Sequence, residues 1–469
     1  MRLYLYILIS IVALTHISCT RWLDVKPEDK FTEDQIYTTK AGIAEVMNGL
    51  YIKMATPQLY GRDLTLDKLD LFAQRYYGIT PDYSFYEYIN RNYENIAVKN
   101  TLASIWDNMY LMIGNANQFL SNLDKLAINV LTESERNQYK GEAIAIRSLA
   151  YFDLLKMYGP VFKLDSTAVS IPYYRVLGRD IGDFLPANEV IENIVRDLDT
   201  AINYLKNDPI VSQAGTLNYN SYRINLYAAK LLKAKVLLWR GDNQGALMVA
   251  KEVIAQAAKF PWVTHEAATG SSATADRIFS TEVLFGIFNN GLYDTYDEIF
   301  SSAITERSII ATGPSNYVST VFENNSGDYR YEYSWIFGSE GVPFRTFIKY
   351  RNLISQETFT RRYTIPVMRL SEAYYIAAET ETNPQLALSY LNTVRQKRNL
   401  PLNIEDPALL RAELTKEYEK EFYGEGQLWY YYKRNAVTTV RTPNTVNGTI
   451  AIATGSYVFP IPDSETGSR

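Results

Sequence analysis

Apolar side chains recur every three or four residues through much of this chain, which is the spacing of one face of an α-helix. The segment 134–158 is the clearest example, and its apolar stripe consists of Ala143, Ile146, Ala150, Leu154 and Met157. Gly159 and Pro160 follow at once, and this pair predicts the end of the helix. The segment 105–126 has similar spacing, so we expect it to form a second helix antiparallel to the first.

Three further segments, 188–205, 225–255 and 369–401, show the same periodicity. In the second of them, small residues stand at set intervals, at Ala234, Gly241, Ala246 and Ala250. The third has Ala373, Ile376, Ala387 and Leu391 at the equivalent places. This spacing resembles the tetratricopeptide repeat, which has a period of about 34 residues. Stacked helix pairs of this kind form a scaffold with a concave face.

The segments between these helices have a different composition. Residues 60–100 and 256–365 are rich in Tyr, Gly, Asn, Ser and Thr and lack long apolar stripes, so we expect two loop-rich binding regions there. Within the second region, Thr281–Phe288 and Phe344–Asn352 predict short strands. The tail 457–465 contains two prolines and predicts an extended segment laid on the surface.

These patterns together predict a mainly α fold. Tetratricopeptide-like helix pairs at about 105–255 and about 368–401 form the scaffold, and long loop-rich insertions and a few short strands are added to it.

The N-terminal residues have the pattern of an export signal. Arg2 precedes a mostly apolar run, Leu3–Leu14, that is too short to cross a bilayer, which takes about 20 residues. Ser18 then precedes Cys19, the single cysteine of the 469 residues, as in bacterial lipoproteins. We therefore expect removal of residues 1–18 and a lipid anchor on Cys19. An ordinary secretory signal with a chance cysteine is the alternative.

Composition excludes several classes of function. A formal net charge of −5 disfavours nucleic-acid binding, which needs concentrated Lys and Arg. The chain has two histidines, and only His265 follows the signal, so a zinc site built on two or three histidines is excluded. Glu417 and Glu421 lie one helical turn apart beside Lys416 and Lys420, a pattern typical of a solvated face. The sequence indicates no catalytic residues and no cofactor, and it leaves a structural calcium open.

Six motifs occur in an order that resembles one known family. They are CTRWLDVKP after the signal, GEAIAIRSLAYFDLLKMYGPV at 141–161, VMRLSEAYYIAAE at 367–379, LNTVRQKRNLP at 391–401, EKEFYGEGQLWYYYKR at 419–434 and YVFPIPDSE at 457–465. The chain resembles the SusD/RagB family of nutrient-binding lipoproteins of Bacteroidetes. The similarity runs from Cys19 to the C-terminus, which implies a single SusD-like domain at 19–469.

The resemblance implies a mainly helical protein that is lipid-anchored on the outer face of the outer membrane. Such proteins bind glycans, lie as a lid over a TonB-dependent transporter of the SusC kind and have no catalytic activity. We therefore expect a cell-surface protein that captures oligosaccharides and delivers them to such a transporter. Peptide or glycopeptide cargo is the alternative, and a glycoside hydrolase is a distant one.

Sugar rings have apolar faces that stack on aromatic rings, while nearby amides hydrogen-bond their hydroxyls. The densest aromatic segment is 75–93, followed by 289–300 and 328–337. The predicted ligand-binding residues are Tyr76, Tyr77, Tyr83, Phe85, Tyr86, Asn90, Tyr293, Tyr296 and Trp335. For each of them, packing on the helical scaffold is the alternative. The sequence does not identify the sugar or its linkage.

Overall fold

The computed structural model describes most of the chain after residue 32. The described ranges are 33–127, 129–178, 182–212, 219–271, 274–313, 316–338, 342–352 and 361–467. The predicted signal peptide and the predicted lipid anchor at Cys19 lie outside these ranges. Within them, none of the helices combines the length and the apolar composition that crossing a membrane requires.

The chain divides into two compact units, residues 1–46 and residues 47–469. The helices, in chain order, are α1 Glu33–Ile36, α2 Lys40–Met54, α3 Lys68–Phe72, α4 Tyr86–Ile89, α5 Ile96–Lys125, α6 Glu133–Tyr158, α7 Ala187–Tyr204, α8 Leu226–Arg240, α9 Asn243–Ile254, α10 His265–Ala268, α11 Leu292–Ile299, α12 Tyr317–Val321, α13 Tyr329–Glu332, α14 Leu370–Thr380, α15 Pro384–Lys397, α16 Leu410–Glu421, α17 Gln427–Asn435 and α18 Asp463–Thr466. The strands are β1 Val169–Ile171, β2 Leu185–Pro186, β3 Val283–Phe288, β4 Trp335–Phe337, β5 Arg345–Phe347, β6 Thr364–Arg369, β7 Thr439–Arg441 and β8 Thr449–Ala451.

Seven of the longer helices form one continuous stack. From α5 to α9 each helix packs on the next, α14 then packs on α9, and α15 packs on α14. The long insertion between α9 and α14 therefore leaves the stack unbroken in space. This arrangement confirms the mainly α fold, in which the scaffold of helix pairs is interrupted in the sequence but continuous in space.

Local sequence signals explain where these helices begin and end. Thr132 and Glu135 form a reciprocal capping box at the start of α6, which satisfies two backbone N–H groups that have no helical partner. Gly241 ends α8 in the left-handed conformation, with φ +85°, which costs glycine little. Asp242 then caps α9 by accepting a hydrogen bond of 2.9 Å from the Gly245 N–H. Gly241 and Asp242 thus form the turn between α8 and α9.

Within the described ranges, the strands form four two-stranded antiparallel pairs, β1–β2, β3–β6, β4–β5 and β7–β8. Both predicted strands are present, as β3 and as the shorter β5. In the longest pair, Val283 lies opposite Arg369 and Phe288 lies opposite Thr364. This pairing brings the end of β3 beside residues 361–364, which are distant in sequence.

Large aromatic rings fill the core. Trp106, Trp239 and Trp429 are buried. The tail was predicted to lie extended on the surface, but its Tyr457 and Phe459 rings are buried, and Phe459 stacks on Trp429 with 6° between the ring planes. Ring burial explains the difference, because transferring each aromatic ring from water into the core is more favourable than leaving it exposed on an extended surface segment.

A buried ionic network joins the second insertion to the scaffold. It consists of Glu282, Asp328, Arg330, Lys349, Arg369, Arg395, Arg398, Glu417, Lys420, Glu421 and Glu425. Arg398 Nη2 lies 2.6 Å from Glu282 Oε2 and 2.7 Å from Glu421 Oε1. These contacts fix the start of β3 against the end of α15 and against α16.

The ionic network corrects one expectation from the sequence. Glu417 and Glu421 were predicted on a solvated face, yet both side chains are fully buried. Burial alone would raise the pKa of Glu417, but Arg330, Lys420 and Arg395 lower it to about 2. The carboxylate is therefore ionised, and its charge is balanced by Lys420 on the same helix and by Arg330 and Arg395 from other segments.

Candidate functional site

The first predicted ligand residue, Tyr76, lies in the core. Its ring centroid is 6.3 Å from that of Phe300 and 6.2 Å from that of Tyr423. Burial raises the pKa of the Tyr76 hydroxyl well above its usual value. The structure thus contradicts the expected ligand contact at Tyr76, because no face of the ring reaches the surface.

Tyr77 and Tyr83 form an edge-to-face pair with ring centroids 5.4 Å apart. Gly313, with φ +73°, packs directly against this pair, since a Cβ there would lie 2.4 Å from Tyr77 Cγ. The Arg307 guanidinium lies 4.6 Å from the Tyr83 ring centroid and 3.1 Å from Asp82 Oδ2. The rings are therefore held in place, and Tyr83 itself is mostly covered.

The remaining predicted residues of this segment lie near the surface. Phe85 and Tyr86 are half-buried, and Asn90 is exposed. The Lys68 ammonium lies 5.4 Å from the Phe85 ring centroid, and Asn90 Nδ2 donates a 2.8 Å hydrogen bond to the Tyr86 carbonyl. Ligand contact at these positions stays a prediction.

Two predicted residues of the second insertion are core residues. Trp335 is buried and packs on Phe347 and Tyr423, with ring centroids 4.8 Å and 5.1 Å away. Tyr296 is buried beside Phe300, and burial raises its pKa to about 12. Both were predicted to contact ligand, and both instead stabilise the base of the insertion. Their burial depends on tertiary packing, which the local sequence does not show.

The last predicted residue, Tyr293, belongs to a chain of four rings, which we term the aromatic row. The row consists of Tyr222, Phe288, Tyr363 and Tyr293. Successive centroids along it lie 5.8, 5.7 and 4.6 Å apart. Phe288, at the end of β3, is 52% exposed. The sequence did not identify Tyr222, Phe288 and Tyr363 as ligand residues, because they come from three separate segments that only the folded chain brings together.

Tyr363 occupies a strained backbone conformation. Its φ is +60°, in the left-handed region, which costs a bulky residue about 1–3 kcal/mol. The Asn289 N–H donates a 2.7 Å hydrogen bond to the Tyr363 carbonyl. The Tyr363 ring packs against both Phe288 and Tyr293, and backbone strain of this kind is concentrated at functional sites.

A cavity of about 720 Å³ opens beside the aromatic row, and we term it the aromatic pocket. Its described lining includes Asn48, Tyr51, Ile52, Thr56, Tyr222, Phe288, Asn290 and Thr295. The volume lies within the range of small-molecule sites, about 300–1,000 Å³. Apolar ring faces next to amides and hydroxyls are the groups that bind a hydroxyl-rich molecule such as a sugar.

Hydrogen bonds hold Tyr51, one of the lining residues of the aromatic pocket, in place. The Tyr51 hydroxyl donates to Glu142 Oε2 at 2.8 Å and accepts the Ile224 N–H at 2.9 Å. Arg223 Nη2 lies 2.7 Å from the same Glu142 oxygen. Burial raises the pKa of Tyr51 well above its usual value, and the negative charge of Glu142 is the second cause of this shift. The phenol therefore stays neutral and holds its ring in a fixed position.

The structure was also searched for side chains that could bind a metal ion. Among the residues that the structure describes, no three His, Cys, Asp or Glu side chains are arranged to hold a metal ion.

Two family models match the sequence and together span most of it. Residues 21–217 match the model described as "Starch-binding associating with outer membrane". Residues 287–468 match the model described as "SusD family".

Comparisons with individual proteins agree with these matches. SusD-like protein P2 of Formosa agariphila is 24% identical over 517 residues, which cover 97% of this chain and 95% of that protein. A SusD superfamily protein of Bacteroides thetaiotaomicron superposes with a TM-score of 0.72 at 20% identity and covers 92% of this chain and 98% of its own. Surface glycan-binding protein A of the same organism superposes with a TM-score of 0.66 at 18% identity, with the same coverage. The structural likeness shows the fold.

Proposed function

The chain belongs to the SusD/RagB family, and from that premise we propose that it is a cell-surface lipoprotein that captures oligosaccharides. It delivers them to a TonB-dependent outer-membrane transporter of the SusC kind and performs no chemistry on them. The family supports the transporter partner and the outer-membrane location. The neighbours named for glycan or carbohydrate binding support the cargo.

We assign the captured sugar to the aromatic pocket. The observation that carries this assignment is the exposed Phe288 ring, which stands in the aromatic row at the wall of a cavity of about 720 Å³. A sugar ring stacks on Phe288 and Tyr222, while Asn290 and Thr295 are placed to bond its hydroxyls. Ordering each flexible sugar costs entropy, so we expect modest affinity, which suits release to a transporter.

Isothermal titration of the purified protein against a panel of oligosaccharides tests this function. We expect saturable binding of at least one glycan class, with a dissociation constant in the micromolar to millimolar range. A folded sample that binds no glycan would contradict the proposal. Binding of peptides alone would identify peptides, and not sugars, as the cargo. Shorter products in the recovered ligand would show a hydrolase instead.

The lipid anchor has its own test. Wild-type protein grown with labelled palmitate should carry the label and sediment with the outer membrane, because two or three acyl chains anchor a protein durably. The Cys19→Ser variant should lose both properties. Ser18→Ala, which keeps a small residue before the cysteine, should retain them. An unlabelled wild-type protein would contradict the anchor and leave the sugar site untouched.

A further inference from the structure

Helix α2 contributes an uncharged face to the aromatic pocket. Asn48, Tyr51, Ile52 and Ala55 line the cavity, and their spacing of three or four residues places them on one side of the helix. Ala55 directly follows the last residue of α2 and continues the helical face, because its N–H donates to the Tyr51 carbonyl at 3.1 Å. The pocket therefore has, besides the aromatic row, a wall of different chemistry.

Ile52 is the exposed apolar residue of this wall. It is 70% exposed, although isoleucine is among the residue types most often buried. Ala55 and Pro57 extend the apolar surface along the chain, and Ile287 and Phe288 line the same cavity from β3. An apolar surface with polar groups at its rim is typical of a ligand-binding groove. A ligand that brings a methyl group to Ile52 would remove apolar area from water.

Asn48 places a hydrogen-bond donor next to Ile52. The two residues are one helical turn apart, at i and i+4, where Cβ atoms are about 5–6 Å from each other. Asn48 Oδ1 lies 3.5 Å from Arg223 Nη1. Because a guanidinium only donates hydrogen bonds, the amide oxygen of Asn48 faces Arg223 and its NH₂ group is turned away. The NH₂ group of this exposed side chain is thus available to a carbonyl oxygen of a ligand.

The charge of the pocket lining is balanced within the protein. In the part of the chain that the structure describes, the charged residue of the lining is Arg223. Glu142 Oε2 accepts a 2.7 Å hydrogen bond from Arg223 Nε and lies 2.7 Å from Arg223 Nη2. Both side chains are buried, so the ion pair turns little charge towards a ligand. The site therefore suits an uncharged substituent.

We propose, building on the glycan-binding function above, that the aromatic pocket selects sugars that carry an acetyl group, as either an N-acetyl or an O-acetyl substituent. The sugar ring stacks on the aromatic row, the acetyl methyl packs on Ile52, and the acetyl carbonyl accepts a hydrogen bond from the Asn48 NH₂ group. An acetyl group joins one methyl to one carbonyl acceptor and carries no charge, which matches the three features of this wall. A sugar hydroxyl in the same place would leave Ile52 without an apolar partner.

Isothermal titration compares uncharged oligosaccharides that differ only in their acetyl groups. The N-acetyl pair is chitotriose and cellotriose, which has hydroxyls in place of the acetamido groups. The O-acetyl pair is acetylated glucomannan oligosaccharide and the same sample after saponification. We expect the acetylated member of at least one pair to bind about five- to twentyfold more tightly, because it buries one methyl group and adds one hydrogen bond. Raising NaCl from about 0.05 M to about 0.5 M should leave this ratio unchanged, since the acetyl group is uncharged.

Variants connect this preference to α2. Ile52→Thr keeps a branched Cβ but removes apolar surface, and Asn48→Ala removes the donor. Each should lower the ratio of the two dissociation constants to about threefold or less, because each removes one of the two contacts. Ile96→Thr is the matched control, since Ile96 is also 70% exposed but lies at the start of α5, outside the pocket lining, and this variant should keep the full ratio. Thermal melts show that each variant is folded.

The outcomes separate the two proposals. Equal or weaker binding of the acetylated member in both pairs would overturn the acetyl selection and leave glycan binding standing. Retention of the full ratio by Ile52→Thr or by Asn48→Ala would overturn it too, because the proposal requires both contacts. Starch, xylan, mannan and galactan oligosaccharides complete the panel, and a folded protein that binds none of its members would overturn the glycan function as well. The two pairs identify whether the site takes the N-acetyl or the O-acetyl form.

Discussion

Replacing Glu421 with alanine is expected to destabilise the folded chain by about 3–5 kcal/mol, the cost of removing one partner from a buried ion pair. The Glu421 carboxylate lies 2.9 Å from Arg330, 2.5 Å from Arg369 and 2.7 Å from Arg398. Burial would raise the pKa of Glu421, but Arg398 and Arg369 hold it well below its usual range. The variant would therefore leave three buried guanidinium groups with too little negative charge around them.

Urea unfolding near neutral pH, followed by tryptophan fluorescence, measures this loss. The matched control is Glu192→Ala, which removes a surface pair in which Glu192 Oε1 lies 2.7 Å from Arg240 Nη1. That variant should lose less than about 1 kcal/mol, as solvent-exposed pairs do. Equal losses in the two variants would show that the ionic network contributes no more than an ordinary surface contact.

The sequence could not reveal that Glu421 is buried. Glu417 and Glu421 are spaced one turn apart and flanked by lysines, which locally resembles a helix face in water. Their burial depends on Arg330 and Arg369, which lie in other segments and reach α16 only after the chain has folded. The helix scaffold was predictable because its signals are local, namely apolar periodicity and a left-handed Gly241 at a turn.

The candidate site shows the same division between local and long-range information. Tyr293 was identified because it follows a predicted strand in a polar, loop-like segment. Tyr222 and Tyr363 come from segments far from it in sequence. Tyr363 directly precedes β6 and is brought to Phe288 by the β3–β6 pairing, while the Tyr222 hydroxyl lies 2.8 Å from the Thr364 hydroxyl of β6. Conversely, Tyr76 and Trp335 lie in segments with the composition of a ligand-binding loop, but both side chains are enclosed by other rings. Composition does not show whether a ring is enclosed.

Phe288→Ala is expected to weaken glycan binding about five- to thirtyfold, because it removes a stacking contact that contributes about 1–2 kcal/mol to the free energy of binding. The ring is 52% exposed, so its loss should change stability little. Its neighbours Tyr222 and Tyr363 would lose the ring that connects them. The measurement is isothermal titration with the oligosaccharide that wild-type protein binds most tightly, alongside a thermal melt of each sample.

The matched control for this variant is Phe337→Ala. Phe337 is a 67% exposed phenylalanine at the end of another strand, β4, where the Arg345 guanidinium lies 4.9 Å from its ring centroid. It does not line the aromatic pocket, so its removal should leave the dissociation constant unchanged. Unchanged binding by Phe288→Ala together with weakened binding by Phe337→Ala would move the sugar site to the β4–β5 hairpin.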